Sequence, residues 1–375
     1  MNKVFDPIVD RQQAKLAAGH KVPLLRIVRR PTISQRKAWL IRGVAFVSAL
    51  LTGALMIALL GHNPFVVYAD MLVGALGTKT SLIETVKNTI PLLVAALSVA
   101  LSFKMQFWNI GAEGQILAGG IAASYFALFW FDAVPSWLLL CIMMVAAALA
   151  GALWGGVPAF FKAKWNTNET LFTLMLNYVA LGLVKYLQAG PWKKPGGFPK
   201  IAMFDQAARL PKLFGVHIGW IIAIAAVIFV AIYLTRSKHG YETTVVGQSA
   251  NTAKYSGMSV TRVIIRTMVV AGALAGLVGF MQVAGADYTL NESTAGGVGF
   301  TAITVAWLAQ LQPVAMVAVA AFIAILQKGA NRIHTTFNIP ATASEVLIGI
   351  ILFFMLGCEF FINYRLILRK KGGQA

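Results

Sequence analysis

Long apolar runs alternate with short polar segments along almost the whole chain. Runs of about 20 apolar residues are long enough to cross a hydrocarbon core of roughly 30 Å as α-helices. Alternating ten-residue segments of the transmembrane β-barrel type are absent. The pattern therefore predicts an all-α, polytopic transmembrane helical bundle. About ten spans are expected, at 39–60, 85–103, 115–131, 137–161, 169–187, 218–234, 263–283, 300–311, 313–326 and 342–363.

The polar segments between these runs predict the loops. Residues 61–81 form an expected outside loop, with a turn signal at Asn63-Pro64. Residues 188–217 are rich in Pro and Gly and too polar to span, and residues 328–341 are a polar connection. Residues 235–262 are polar and basic, which predicts a loop on the inner side of the membrane.

Composition supports a membrane protein, since 58% of the 375 residues are hydrophobic and 12% are charged. A net charge of +19 would suggest nucleic acid for a soluble protein. Here Lys and Arg cluster at the ends of apolar runs, where they set orientation, so no nucleic-acid partner is expected. Both basic tails, 1–38 and 364–375, are predicted to be cytoplasmic. Five basic residues nevertheless fall in one predicted outside loop: Lys193, Lys194, Lys200, Arg209 and Lys212.

A polar interruption separates the second and third apolar runs. Glu113 lies between Gly111 and Gly114, with amides at Asn109 and Gln115. A carboxylate at membrane depth costs roughly 2.5–3.5 kcal/mol on insertion scales, which favours a functional site. Broken helices are also how transporters build sites inside a bilayer. Two alternatives stay open: the carboxylate favours a helix N-terminus near a headgroup, or it accepts backbone amide hydrogen bonds.

The order of the runs suggests an inverted repeat of units at about 85–189 and 263–363. Each unit has a long span, a glycine-containing break, two further spans and a capped span with an early Glu. Paired breaks in two inverted halves indicate a transport pathway at the interface between the repeats. The breaks contain Gly111 and Gly114 in the first unit and Gly296, Gly297 and Gly299 in the second.

Two further groups of residues are candidates for function. Asn177 and Tyr178 lie inside the fifth run, where they either bond between helices or face a polar solute. Small residues in the 235–262 loop follow helical spacing, which predicts a short helix able to fit a partner's groove. An ordinary solvated linker is the alternative. The residues at helical spacing are Ala250, Ala253 and Gly257, and Gly247 is a further small residue of this loop.

Motifs for enzymatic chemistry are absent from the sequence. No G-x-x-x-x-G-K-[ST] loop is present, so this chain is not itself the ATPase of a pump. The sequence also lacks His-Glu-x-x-His, Gly-x-Ser-x-Gly and a Cys/His metal spacing. Cys141 and Cys358 lie inside apolar runs, which predicts small buried residues. We therefore expect no enzyme activity, cofactor or metal.

Several motifs resemble one family of transport proteins. Residues 109–115, Asn-Ile-Gly-Ala-Glu-Gly-Gln, resemble the signature of permease subunits in ABC importers of the branched-chain amino acid and simple-sugar permease superfamily. Met175-Leu-Asn-Tyr178 and Gly190-Pro-Trp192 resemble the nucleoside branch, although Lys193-Lys194 stands where relatives often carry an acidic residue. Residues 247–257 resemble the loop that docks onto the ATPase. Residues 299–306 resemble the motif of the second half.

The resemblance implies a permease domain at 39–363 that imports nucleosides through a bacterial inner membrane by alternating access. Implied partners are a separate ATPase subunit, a homologous or identical second permease, an extracytoplasmic binding protein and the lipid bilayer. The ATPase would couple through the small residues of the 235–262 loop. The rivals are a permease for a simple sugar and an ion-coupled transporter that uses Glu113. Expected pathway residues are Asn109, Glu113, Gln115, Asn177 and Tyr178.

Overall fold

The computed structural model describes residues 25–29 and 34–368. About three quarters of this part is helical. The α-helices are α1 Gln35–Leu59, α2 Pro64–Leu76, α3 Lys79–Lys104, α4 Ala112–Phe129, α5 Ser136–Trp165, α6 Glu169–Ala189, α7 Gly219–Arg236, α8 Lys238–Gln248, α9 Ala250–Tyr255, α10 Val260–Met281, α11 Val298–Leu308, α12 Pro313–Phe337 and α13 Ala341–Asn363. The other elements are a 3₁₀ turn Gln206–Ala208, a π-helical extension of α10 at Gln282–Asp287, and strands β1 Leu25–Arg29, β2 Lys212–Leu213, β3 Val216–His217 and β4 Tyr364–Leu368.

The prediction of an all-α polytopic bundle is confirmed. Eight helices of the described part are long and apolar enough to cross a membrane, namely α1, α3, α5, α6, α7, α10 with its extension, α12 and α13. Helix α4 has 18 residues but carries Glu113 in its first turn. Helix α11 has 11 residues, or about 16 Å, which is too short to cross alone. The number of ten spans and the inverted repeat therefore stay predictions.

The loop predicted at 61–81 is wrong, because this segment contains α2 and the start of α3. The Asn63-Pro64 signal begins a helix instead of a turn. The Asn63 side chain accepts a hydrogen bond from the Phe65 N–H at 3.0 Å, and Pro64 occupies the first helical position. Pro is tolerated there because its missing N–H has no partner within the helix.

The predicted end of the ninth span near residue 326 is also wrong, since α12 continues to Phe337. Its charged residues find carboxylates on other helices. Lys328 pairs with Glu84, and Arg332 pairs with Asp70 at 3.3 Å. A charge that ends a span by hydropathy can stay on the helix when tertiary structure supplies its counter-ion.

The chain divides into two compact units. The first holds residues 25–29, 34–71 and 329–368. The rest of the two predicted tails, at 1–24, 30–33 and 369–375, lies outside the described residues. In this unit β1 pairs antiparallel with β4, so a part of each predicted tail forms a small sheet. Helices α1 and α13 pack together, and Arg42 bonds Glu359 at 2.8 Å. Cys358 is buried, whereas Cys141, in the second unit, is exposed on α5, contrary to expectation.

The second unit, residues 72–328, has α3, α4, α5 and α10 at its centre. These helices touch backbone to backbone through glycines. A Cβ built on Gly119 would lie 2.3 Å from the Gly276 carbonyl oxygen, and one built on Gly151 would lie 2.3 Å from that of Gly272. Small residues allow such contact, which is how helices associate where lipid removes the hydrophobic driving force. This packing positions the two breaks.

Candidate functional site

The first break lies between α3 and α4 and is closed by a pair of buried amides. The Asn109 side-chain oxygen accepts a hydrogen bond from the Gly111 N–H at 3.0 Å. The amides of Asn109 and Gln115 also face each other, with both N–H···O contacts at 3.4 Å. These two contacts are longer than an ordinary bond of about 2.9–3.0 Å. Gln115 is thus buried with only weak partners.

Helix α6 clamps this break from the side. Asn177 donates to the Ile110 carbonyl at 2.9 Å and accepts from the Gly114 N–H at 2.8 Å. One turn earlier, the Thr173 hydroxyl accepts from the Ile110 N–H at 3.2 Å. The sequence left open whether Asn177 bonds between helices or faces a polar solute, and the structure shows it bonded to the break from another helix. Sequence reasoning missed Thr173, although its i, i+4 spacing from Asn177 places both on one face.

The second break is joined to the first by Glu113. Its two carboxylate oxygens accept hydrogen bonds from the Gly297 and Gly299 N–H groups, each at 2.7 Å. These donors are at the start of α11, whose first N–H groups have no partner within the helix. A carboxylate at this position both caps the helix and meets the positive end of its dipole. Glu113 therefore ties the start of α11 to the first turn of α4.

Glycine occurs at the five positions of the two breaks for two reasons, a positive backbone φ or a lack of space for a side chain. Gly296 and Gly297 have φ of 55° and 76°, a region that favours glycine. The other three lie where a side chain has no room. A Cβ on Gly299 would lie 2.4 Å from the Glu113 nitrogen, one on Gly114 would lie 2.9 Å from the Asn177 side-chain oxygen, and one on Gly111 would lie 2.9 Å from the Thr173 Cβ.

A cluster of three aromatic rings includes the other end of α11. The rings of Trp108 and Trp307 stack with centroids 5.8 Å apart, and Phe103 lies 5.3 Å and 5.8 Å from them. Trp108 immediately precedes Asn109, so the first break contacts α11 at its start and at its end. Sequence reasoning missed both tryptophans, because nothing local signals a contact between residues so far apart in the chain.

The structure brings together four of the five predicted pathway residues. Asn109, Glu113, Gln115 and Asn177 lie at one junction and bond mainly to each other and to the backbone. Tyr178 is 64% exposed and lies outside it. The arrangement is a rigid junction of two broken helices. Gln115 is the side chain of this junction with the longest hydrogen-bond contacts.

The predicted coupling residues are divided between two environments. Gly247 packs on the Lys104 backbone, and Ala253 is buried against Phe107 and its neighbours. Ala250 and Gly257 are exposed, and Gly257 has a φ of 77°. The short helix expected here is present as α9. Its exposed side presents Tyr255, which is 93% exposed.

Helix α8 is tied to α10 by a charged pair. Arg266 donates to Glu242 at 2.9 Å, and His239 approaches the same carboxylate at 3.7 Å. The hydrogen bond from Arg266 lowers the pKa of Glu242 below its usual range. The exposed side of α9 is therefore carried on a segment that is bonded firmly to the central helices.

A bundle of apolar helices with two facing helix breaks defines a polytopic membrane transport protein. Residues 81–356 match the family described as "Branched-chain amino acid transport system / permease component". The chain belongs to this family of ABC transporter permeases. It is a multi-pass membrane component of a transporter and not an enzyme, as the sequence predicted.

Three relatives align along most of the chain. It is 35% identical to the "Glucose ABC transporter permease protein TsgB13" of Haloferax volcanii, over 88% of this chain and 90% of the relative. It is 32% identical to the "Nucleoside ABC transporter permease protein NupB" of Lactococcus lactis, over 86% and 92%. It is 30% identical to the "Guanosine ABC transporter permease protein NupP" of Bacillus subtilis, over 83% and 91%. No solved structure matches the chain significantly.

Proposed function

We propose that this chain forms the pathway for nucleoside uptake in an ABC importer of a bacterial inner membrane, with both termini in the cytoplasm. The observation that carries the proposal is the similarity to two relatives named for nucleoside and guanosine transport, over 86% and 83% of the chain. Met175-Leu-Asn-Tyr178 and Gly190-Pro-Trp192 point the same way.

The proposed pathway runs past the junction of the two broken helices. Gln115 and Asn109 exchange their long mutual contacts for hydroxyl or base groups of the solute when the pathway opens. Glu113 and Asn177 keep the broken backbone in place, because their oxygens already hold amide donors. Tyr178 contributes only if the pathway runs along the exposed side of α6, between this chain and a second permease subunit.

Coupling to ATP hydrolysis is proposed at the exposed side of α9. A separate ATPase subunit takes Tyr255 and the adjacent small residues into its groove, and its motion is carried through the Arg266–Glu242 contact to α10. Helix α10 packs directly on α4 through glycines. A movement at α9 therefore has a continuous packed route to the junction.

A simple sugar is the second candidate solute, favoured by the 35% identity to the glucose permease relative. Nucleosides and sugars share ring hydroxyls, so amides such as Gln115 suit both. An ion-coupled mechanism has less support, because Glu113 is occupied by two backbone donors.

The test is uptake of labelled guanosine and of labelled glucose by cells that express this chain with its ATPase or with an ATPase unable to hydrolyse ATP. We expect guanosine uptake that needs the active ATPase and is unaffected by excess unlabelled glucose. Glucose uptake that guanosine does not inhibit would replace the proposed solute with a sugar. Uptake that does not require an active ATPase and that a proton uncoupler abolishes would contradict the proposed ABC importer. It would favour an ion-coupled mechanism.

A further inference from the structure

Helix α11 buries one side and exposes the other. It packs on α3 and α4, and small residues such as Ala302 and Ala306 are buried there. Phe300 and Trp307, in contrast, are 45% and 42% exposed. Positions 300, 304 and 307 follow the i, i+4, i+7 spacing of one helix face. Phe300, Thr304 and Trp307 thus form a stripe along α11, from the second break to the end of the helix, which we call the α11 stripe.

The α11 stripe begins at a place that lipid does not cover. Helix α11 is about 16 Å long, so its start lies at membrane depth when its end lies at the membrane surface. At that start Glu113, which is partly exposed, accepts from Gly297 and Gly299. Non-helical backbone and a carboxylate are tolerated at this depth only inside protein or beside a water-filled cavity. The stripe therefore adjoins the pathway proposed above.

Two tryptophans meet at the far end of the stripe. Trp307 stacks on Trp108 with ring planes 24° apart and centroids 5.8 Å apart. This is an offset stack, which leaves part of each ring face open. Trp108 is 47% exposed, whereas Phe103, which lies against both rings, is only 7% exposed. Trp108 and Trp307, which we call the tryptophan pair, thus form a flat aromatic surface that is supported from the interior.

Amide side chains lie directly beside this aromatic surface. Asn109 follows Trp108 in the chain, and its amide contacts that of Gln115 only weakly, at 3.4 Å. Aromatic side chains bind nucleic-acid bases by stacking, since every base has a π face. Amides donate to and accept from hydroxyl groups. A flat aromatic surface next to weakly bonded amides matches a nucleoside, which joins a flat base to a ribose with hydroxyl groups.

We infer that the tryptophan pair is a binding site for the base of the transported nucleoside, at the inner end of the pathway. This inference rests on the proposed importer function. The base stacks on the open ring faces, and the ribose hydroxyls bond the amides of the first break. Stacking increases with the ring area that overlaps, so the site favours the two-ring base of a purine nucleoside.

The tryptophan pair is also linked to the helix proposed for coupling. Phe107 immediately precedes Trp108 and is buried in one cluster with Ala253 of α9. A movement of α9 therefore shifts Trp108, whereas Trp307 is carried by α11. The two rings then no longer form one surface, and the base loses its stacking contact. The ATPase would in this way release the nucleoside on the inner side of the membrane.

Lipid tails or a helix of a second subunit would also cover exposed rings, but the residues of this surface favour a solute. Close helix contacts in membranes use small residues, whereas the stripe carries two large rings and a hydroxyl group. Tryptophans that face lipid lie at the membrane interface. Trp165, at the end of α5, has such a place among Phe160 and Phe161. The tryptophan pair differs because its rings stack on each other beside a helix break.

The experiment uses the whole importer in proteoliposomes and the photoreactive probe 8-azidoguanosine. The probe is irradiated during ATP-driven uptake, and the labelled peptides are identified by mass spectrometry. We expect label on the peptides that contain Trp108 and Trp307, and we expect excess guanosine, but not excess glucose, to remove it.

The maximal rate of guanosine uptake is measured for Trp307→Leu, Trp307→Phe and the matched control Trp165→Leu. Trp165 is an exposed tryptophan that lies outside the pair. We expect Trp307→Leu to lower the rate about tenfold, because the stacking surface is lost. Trp307→Phe is expected to recover most of the rate, since a ring is restored, and Trp165→Leu to stay at the parent value.

Label confined to other peptides, with normal guanosine uptake by the parent complex, would overturn the base site and leave the proposed function intact. Parent rates for Trp307→Leu would overturn it as well. If Trp307→Leu does not fold, the label on the parent chain decides alone. If the parent complex shows no ATP-dependent guanosine uptake, the proposed function fails, and the base site fails with it.

Discussion

At the scale of single residues, the Glu113 carboxylate is the contact between the two breaks. It accepts two short backbone hydrogen bonds at the start of α11 while belonging to the first turn of α4. Charged hydrogen bonds of this kind contribute about 1.5–3 kcal/mol, more than neutral ones. A residue singled out as a candidate transport site is therefore also a structural one.

Glu113→Gln is expected to lower thermal stability, because the neutral amide keeps one acceptor and loses the charge. The expected loss is roughly 1–3 kcal/mol of unfolding free energy. Thermal unfolding of the purified protein measures it, with Glu292→Gln as the control at an exposed carboxylate. If Glu113→Gln unfolds like the control but abolishes uptake, the carboxylate acts on the solute or an ion instead.

His217 predicts a dependence of stability on pH. The ring is buried and its Nδ1 accepts from the Gly219 N–H at 3.2 Å, which requires the unprotonated form of that nitrogen. Burial, together with Lys87 and Lys212, lowers the pKa of His217 to about 4. An unfolded histidine titrates near its ordinary value of about 6.5, so the unfolded chain binds a proton first as the pH falls.

The free energy of unfolding is thus expected to decrease as the pH falls from about 6.5 to about 4. Between pH 7.5 and pH 5 the expected decrease is about 2 kcal/mol. Unfolding midpoints at these two pH values, compared with those of His217→Asn, isolate the contribution of His217. Asparagine can still accept from the Gly219 N–H but does not titrate. A parent protein and variant with the same pH dependence would contradict this assignment.

At the scale of elements, α9 presents one side to the interior and the other to solvent. Ala253 is buried with Phe107 and Val263, while Tyr255 is almost fully exposed on the other side. Two of the four small residues predicted for coupling, Gly247 and Ala253, are thus small because of packing within the chain. The proposed contact with the ATPase is left to the exposed side.

Tyr255→Ala is expected to lower ATP-dependent uptake at least about tenfold, because exposed aromatic anchors dominate the binding energy of many interfaces. The matched control is Tyr241→Ala in the neighbouring helix α8, where the tyrosine is 63% exposed. Uptake and co-purification of the ATPase are measured for both. Normal uptake by Tyr255→Ala would move the coupling contact elsewhere. A bulky residue at Gly257 is a poorer test, since its φ of 77° adds strain.

At the scale of the whole molecule, the proposed topology puts the segment between α6 and α7 on the opposite side of the membrane from α9. The test uses Lys200→Cys and Lys254→Cys, each in a background with Cys141→Ala and Cys358→Ala. A membrane-impermeant maleimide is expected to label position 200 in intact cells and position 254 only after permeabilisation. The reverse pattern would invert the proposed topology.

Sequence reasoning predicted the all-α membrane fold, the family and both breaks, because each of these depends on patterns within a short stretch of sequence. Apolar run length reports membrane helices, and glycine reports backbone that a side chain would obstruct. It failed at α2 and at the end of α12. Asn63-Pro64 suits a helix start as well as a turn, and Lys328 and Arg332 looked like span ends because their carboxylate partners are distant in sequence.

The sequence by itself determined that this chain spans a membrane, breaks two helices and presents a polar group at the first break. Only the tertiary structure decided what those polar groups contact. It joined Glu113 to the start of α11, Asn177 to the backbone of the first break, and Trp108 to Trp307. The physical reason is range: helix formation depends on neighbours along the chain, whereas a hydrogen bond between two breaks depends on how the helices between them pack.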